Sequence, residues 1–169
     1  MNIIEALKTA ISYEEKVRDT YKSAAEKTPD PAGVRVFTLM AKEENDHVSY
    51  LSDKLKDAVE GTPLSAEDLT TELPDPETIA AATESLNEKL EDIDRDGELA
   101  MLAQAREVEL ETSRFYKKMV KELPDEGKAF FQRFVEIENG HVLLVEAEID
   151  YLQHKGAWIA IDHGELKTF

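Results

Sequence analysis

The chain has no cysteine, which excludes disulfides, thiolate metal sites and iron–sulfur ligation by its own side chains. Any metal must therefore be held by oxygen and nitrogen donors. No window approaches the ~18 apolar residues that a membrane span requires. The opening MNIIEALKTAISYEEK has neither a basic start nor a continuous apolar stretch of the kind a secretory signal carries. A soluble, cytoplasmic protein is expected. Positive charge is scarce: 20 Lys and Arg stand against 37 Asp and Glu, for a net charge of −17. Such a balance opposes phosphate backbones and anionic lipid and favours cations near the surface. Neither nucleic acid nor membrane is an expected partner.

What the sequence does have is a helical period almost throughout, in a chain of 169 residues, enough for one domain that buries roughly 70% of its unfolded surface. Ile4, Leu7, Ile11, Glu14, Arg18 and Tyr21 advance by threes and fours, the spacing of one helix face. Asp30 and Pro31 then read as the cap and first turn of a second helix, with Phe37, Met40, Glu44, His47, Leu51, Leu55 and Ala58 inward. From Gly61 to about Asp96 the pattern loosens. SAED at 65–68 has the form of a capping box, and Asp75 reads as the cap of a short helix bearing Ile79, Ala82, Leu86, Leu90 and Ile93. A single rod from Glu77 to Glu122 would be about 69 Å long, so a break is expected at Gly97. A further helix carries Leu102, Ala105, Glu109, Thr112, Tyr116 and Met119 inward. After LPDEG, the last carries Phe131, Phe134, Glu138, His141, Val145 and Leu152 and ends near His154 to Gly156. The tail is expected to pack Trp158 and Ile161 against the bundle.

The two halves repeat. Glu14 and Glu109 lie 95 residues apart, as do Tyr21 and Tyr116, Pro29 and Pro124, and Asp30 and Asp125; after one deletion the offset is 94 and pairs Phe37 with Phe131, Glu44 with Glu138, and His47 with His141. His47 has both Glu43 and Glu44 as helical neighbours, whereas His141 has Ile137 and Glu138, so only the Glu-x-x-His pair recurs. The expected fold is all-α: a four-helix bundle of two repeated helix pairs (2–60 and 97–155), with a long connection (61–96) between helices two and three and a C-terminal tail (156–169), all in one domain (1–169).

Four carboxylates and two imidazoles thus fall on the seam at one level. An unpartnered buried carboxylate costs several kcal/mol, against a total stability of ~5–15 kcal/mol for a domain. Basic residues do not balance them: Arg18 is one turn beyond Glu14, Lys54 two turns beyond His47, and the inner face of the last helix has none. Two divalent cations would. A lone Glu-x-x-His in an acidic helix usually marks a solvated face; two copies, each preceded by a seam Glu at matching spacing, form the pattern of dinuclear iron and manganese bundles. Imidazole and carboxylate together suit iron or manganese better than magnesium or calcium. Two such cations, iron or manganese with zinc as a substitute, are the expected cofactor. The metal ligands and catalytic residues are expected to be Glu14, Glu44, His47, Glu109, Glu138 and His141. Tyr21 and Tyr116 read as core aromatics rather than redox participants, with hydroxyls within reach of ligand carboxylates. Glu107 and Glu111 point away from Glu109, His154 and His163 lie beyond the seam, and the acidic run from Glu88 to Asp96 reads as a solvated face.

The stretches ALKTAISYEEKVRDTYKSAAEKTPDP through EENDHVSYL, and AQAREVELETSRFYKKMVKELPDE through IENGHVLLVEAEIDYL, resemble the two halves of the rubrerythrin-like branch of the ferritin-like superfamily. The resemblance covers about residues 2–60 and 98–155. It implies a ferritin-like bundle in which the six residues above bind two irons, Glu44 and Glu138 bridging. It also implies a di-iron oxidoreductase whose ferrous pair reduces O2 or H2O2, re-reduced by an external electron donor. Full rubrerythrins carry a Cys-ligated rubredoxin domain, absent from this cysteine-free chain, and a further Glu where this sequence has Thr112. The alternatives are an iron-handling ferroxidase, storage or delivery protein, and a metal-free helical interaction module. The connection is long enough for helix pairs to exchange between two protomers, so a homodimer is compatible with the sequence.

Overall fold

The structure, a computed structural model, describes the backbone of residues 1–84, 94–162 and 165–168 and the side chains of 1–81 and 94–159. The expectations for Ala82, Leu86, Leu90, Ile93, Ile161, His163 and the acidic run from Glu88 fall outside the described residues. Among the described residues no helix is long and apolar enough to cross a membrane.

Local signals set the helix ends. Asn2 and Glu5 form a reciprocal capping box at the start of α1 (Ile3–Lys27). Asp30 Oδ1 accepts from Ala32 N at 2.7 Å to start α2 (Pro31–Glu60), which Gly61 ends at φ 80°, a left-handed conformation that glycine adopts without a Cβ clash. The short turn between them returns the chain antiparallel to itself. Asp75 caps α3 (Pro76–Glu84) as expected, accepting from Thr78 N at 2.9 Å. SAED does not start a helix: Tyr50 Oη donates to Ser65 O at 2.9 Å and to Asp68 Oδ1 at 2.8 Å, docking the segment on α2 as a turn.

α4 (Asp96–Glu122) begins one residue before Gly97, which therefore lies inside its first turn and is not the break. Asp94 stands just ahead of α4, its Oδ1 accepting from Asp96 N at 3.0 Å. Arg95 then joins three helix ends: its guanidinium donates to Asp30 at 2.8 Å, to Glu98 at 2.9 Å and to Gly156 O at 3.2 Å. α5 (Asp125–Lys155) ends at Gly156, φ 73°. Beyond it the tail forms an antiparallel hairpin of β1 (Ile159–Asp162) and β2 (Glu165–Thr168). Trp158 is buried as expected, edge-on to Phe37 at 5.3 Å. It lies so close to α2 that a Cβ on Gly33 would sit 2.6 Å from its ring.

The four long helices form the all-α bundle expected, with the hairpin appended to it. In α4 and α5 the buried seam is the expected one. In α1 it runs through Leu7, Ala10, Glu14, Val17 and Tyr21, while Ile4, Ile11 and Arg18 sit at its edge and Arg18 bonds Asp19 at 2.9 Å. The spacing of threes and fours alternates in the other order from the one read, and the two orders share Leu7, Glu14 and Tyr21. The core separates into two apolar clusters. One is built around Tyr21, Phe37, Leu144 and Trp158; the other around Leu7, Leu51, Tyr116 and Phe131. The polar layer lies at the level between them.

Candidate metal centre

Each long helix delivers one or two polar side chains to this layer from among apolar neighbours: Glu14 between Ala10 and Val17, Glu44 and His47 between Met40 and Leu51, Glu109 between Ala105 and Tyr116, and Glu138 and His141 between Phe134 and Leu144. All six are at most 1% exposed. The layer needs this flanking, because it holds the donors in place while keeping bulk water away.

The geometry is organised around the two imidazoles, whose rings stack 5.3 Å apart at an angle of 4°. Glu44 spans both, Oε2 at 3.2 Å from His47 Nδ1 and Oε1 at 2.7 Å from His141 Nδ1. Glu138 spans the same pair from the other half, Oε1 at 3.6 Å from His47 Nδ1 and Oε2 at 3.9 Å from His141 Nδ1. These four residues present ligand atoms within 4.8 Å of one another. The other two glutamates sit at the ends, Glu14 Oε2 at 3.6 Å from His47 Nδ1 and Glu109 Oε1 at 3.8 Å from His141 Nδ1. The sequence-derived set is thus brought together whole, as two Glu and His ends with two carboxylates between them. Tyr21 donates to Glu109 Oε1 at 2.5 Å, and Tyr116 donates to Glu14 Oε1. Each tyrosine therefore bonds the glutamate of the opposite half.

Burial and crowding push Glu14 up to about 8, with Glu44 the next cause, and Glu109 up to about 7 for the same two reasons. Burial, then Glu14, raises Glu138 well above the usual range. Burial also works to raise Glu44, but the His141 and His47 imidazoliums outweigh it and hold this carboxyl well below the usual range. The reverse holds for the imidazoles: burial disfavours their charge, yet Glu14 and Glu44 bring His47 up to about 10, and Glu44 and Glu138 raise His141 well above its ordinary value. Without metal, protons carry the positive charge that the layer requires.

Protons do not satisfy it geometrically. Glu14 Oε2, Glu109 Oε2, both oxygens of Glu138, His47 Nε2 and His141 Nε2 have no hydrogen-bond partner, and Glu44 Oε1 and His141 Nδ1 meet each other at 2.7 Å only as an ion pair. Buried polar groups are rarely left so. Unpartnered carboxylate oxygens converging on two imidazole Nδ1 atoms fit two divalent cations. The residues present match the expected donor set.

Other expectations stand as follows. Thr112 is fully buried on the inner face, and its hydroxyl donates to Val108 O at 3.0 Å, one turn back in its own helix. Glu107 is exposed, Glu111 pairs with Lys16, and His154 bonds Asp150 O at 2.8 Å away from the layer. Lys54 pairs with Asp68 at 3.6 Å.

Three buried glutamates went unread in the sequence: Glu98, which pairs with Arg95 as described above, Glu43 and Glu148. Glu43, set aside because Ile137 replaces it in the second half, is 4% exposed; its Oε1 accepts from Glu72 N at 2.7 Å and its Oε2 from Thr71 Oγ1 at 2.8 Å, and Oε2 lies 3.9 Å from His141 Nε2. Burial pushes this carboxyl up, but His141, Glu72 N and Thr71 together bring it below its usual value. A surface cleft of about 330 Å3, with Thr71, Pro74, Asp75 and Arg133 in its walls, has His141 in its lining. Glu148 is fully buried; its Oε2 accepts from Ile159 N at 2.9 Å, and burial pushes it up to about 8. The seam spacing that runs from His141 through Val145 reaches Glu148 and was the available signal.

No curated protein sequence matches the chain. A solved structure of a hypothetical protein from Pyrococcus furiosus superposes with a TM-score of 0.61 at 23% identity, over 90% of this chain and 91% of that one, a likeness of fold. The rubrerythrin family model matches residues 5–149, a span that takes in both helix pairs and all six residues of the layer, and the chain belongs to the rubrerythrin family.

Proposed function

We propose that this chain is a di-iron carboxylate oxidoreductase that reduces O2 or H2O2. The observation that carries the reading is the set of unpartnered carboxylate oxygens around two imidazole Nδ1 atoms in a fully buried layer. In this reading Glu14 and His47 would hold one iron and Glu109 and His141 the other, with Glu44 and Glu138 available to both. A ferrous pair supplies two electrons together, so that H2O2 with two protons yields two waters, or O2 with two protons yields H2O2. An external electron donor returns the electrons.

The chain's own residues have four tasks. Glu44 and Glu138 hold the two positions close together, because each reaches both imidazoles. Tyr21 and Tyr116 each hold one oxygen of a terminal glutamate and leave the other free to ligate. The two apolar clusters exclude bulk water, so that charge interactions in the layer are strong. The cleft beside His141 is the approach by which a small oxidant reaches the layer. Burial, and then Glu109 and Glu14 respectively, raise the Tyr21 and Tyr116 phenols well above their ordinary value, which keeps both hydroxyls protonated as donors to these glutamates.

Thr112 favours a second reading, ferroxidation in iron storage or delivery. Its hydroxyl is committed to Val108 O, so it adds no carboxylate for a ferric ion. Metal analysis followed by rapid-mixing oxidation of the ferrous protein with O2 and with H2O2 tests the proposal. Two irons per chain and repeated turnover with an added reductant support the oxidoreductase. Many irons per chain support storage, and no iron in protein from iron-replete cells overturns both.

A further inference from the structure

The internal repeat breaks at one position next to the layer. Glu44 matches Glu138 and His47 matches His141, but Glu43 matches Ile137. Neither outer nitrogen has a hydrogen-bond partner, but His141 Nε2 has a carboxylate at ion-pair distance, Glu43 Oε2 at 3.9 Å, while the ion pairs of His47 are all made by Nδ1 and its ring packs against Phe134 at 5.8 Å between centroids. Glu43 is itself held from the far side by Thr71 Oγ1 and Glu72 N, so the connection between the helix pairs fixes its position. Leu73 N in turn donates to Thr71 Oγ1 at 3.1 Å. The second half has no counterpart of this support, because Ile137 is buried in an apolar cluster and offers no acceptor.

We propose that Glu43 is a positioning residue that makes the two metal positions inequivalent, strengthening the position held by Glu109 and His141 over the one held by Glu14 and His47. The inference rests on the metal centre proposed above. A carboxylate facing the outer N–H of a ligating imidazole fixes the tautomer that leaves the other nitrogen free, orients the ring and raises its basicity. The separation of 3.9 Å is an ion-pair distance that a small ring rotation closes to a hydrogen bond. His47 gains none of this, so the first metal enters at the His141 end. That end also borders the surface cleft that His141 helps to line. The connection thereby acts on the metal layer without supplying a ligand.

The test is an anaerobic titration of the metal-free full chain with Co2+, followed by its visible absorption and by calorimetry, in wild type and in Glu43→Gln. The substitution removes the charge and keeps one acceptor oxygen, for Glu72 N, while its amide nitrogen takes the place of the oxygen that accepts from Thr71. Wild type is expected to bind in two resolved steps. Glu43→Gln should weaken the tighter step by about 10- to 100-fold, the range for a lost outer partner of a ligand histidine, and leave the weaker step in place. The effect should vanish in a His141→Ala background and persist in a His47→Ala background. Two equal steps in wild type, an unchanged tighter step in Glu43→Gln, or an effect that follows His47 would each overturn the inference while leaving a two-metal centre intact. No Co2+ binding by wild type would overturn the inference and the metal centre together. If Glu43→Gln loses its helical circular dichroism, Thr71→Val carries the test, since it removes one anchor and keeps the carboxylate; selective weakening of the tighter step supports the role of Glu43, and no selective weakening overturns it.

Discussion

Tyr21 donates to Glu109 Oε1 across the bundle at 2.5 Å, and Tyr116, its counterpart in the repeat, donates to Glu14. The two bonds cross between halves, so neither helix pair can set its own terminal glutamate without the other. Tyr21→Phe should weaken the metal position at Glu109 and leave the one at Glu14 nearly unchanged, and Tyr116→Phe should do the opposite. Each also removes a buried hydrogen bond worth about 1–3 kcal/mol. Stepwise metal titration with chemical denaturation separates the two effects; identical losses at both positions would contradict the crossed arrangement.

The protein is expected to bind two metals per chain and to be more stable with them. A ligand selective for the folded state adds about 2.7 kcal/mol per independent site at a hundredfold excess over Kd. Glu44→Ala or Glu138→Ala should lower the stoichiometry, because each of these carboxylates reaches both imidazoles. Glu107→Ala, on the exposed face, should leave it unchanged. Metal analysis and thermal unfolding check the set.

Metal uptake should release protons. His47 is raised to about 10, Glu14 to about 8 and Glu109 to about 7, so each competes with a metal for its proton near neutrality. Affinity should therefore rise with pH between about 6 and 8, by up to tenfold per unit for each proton displaced. A pH indicator in weakly buffered solution reads the release on adding Mn2+, and a pH-independent affinity would count against the protonated layer.

Glu148 should make stability depend on pH away from the metals. Its folded-state value of about 8 lies above the ordinary 4.5, so the folded chain holds a proton that the unfolded chain has lost throughout that window. Its contribution is complete below about 4.5, declines by up to ~1.4 kcal/mol per pH unit as pH rises, and levels off above about 8. Glu148→Gln should keep an acceptor for Ile159 N while removing this slope. Urea unfolding of metal-free wild type and variant at several pH values gives the difference, in which the titrations of the layer cancel.

Thr112→Glu should shift the ratio of ferrous oxidation rates toward H2O2. The residue is fully buried on the inner face of α4, one turn from Glu109, so a carboxylate there adds a charge that a ferric ion stabilises. In metal-free protein the same charge costs several kcal/mol, so the comparison uses iron-loaded samples. An unchanged ratio with two irons bound would show that position 112 does not set the choice of oxidant.

The sequence by itself determined the four long helices and the six residues of the layer, because both are periodic properties of single helices repeated across two halves. Glu14, Glu44, His47 and their counterparts stand where an apolar residue should, and one copy checks the other. The same reasoning failed where a residue's environment comes from a distant segment. Glu43 dropped out of the pattern because the repeat does not preserve it; only folding of Thr71 and Glu72 over α2 buries it beside the histidine of the other half. Glu148 is paired by Ile159 N of the hairpin, and the tyrosine bonds cross between halves. Helical periodicity places a side chain on a face but carries no information on what the chain brings to that face from elsewhere, and this the tertiary structure alone decided.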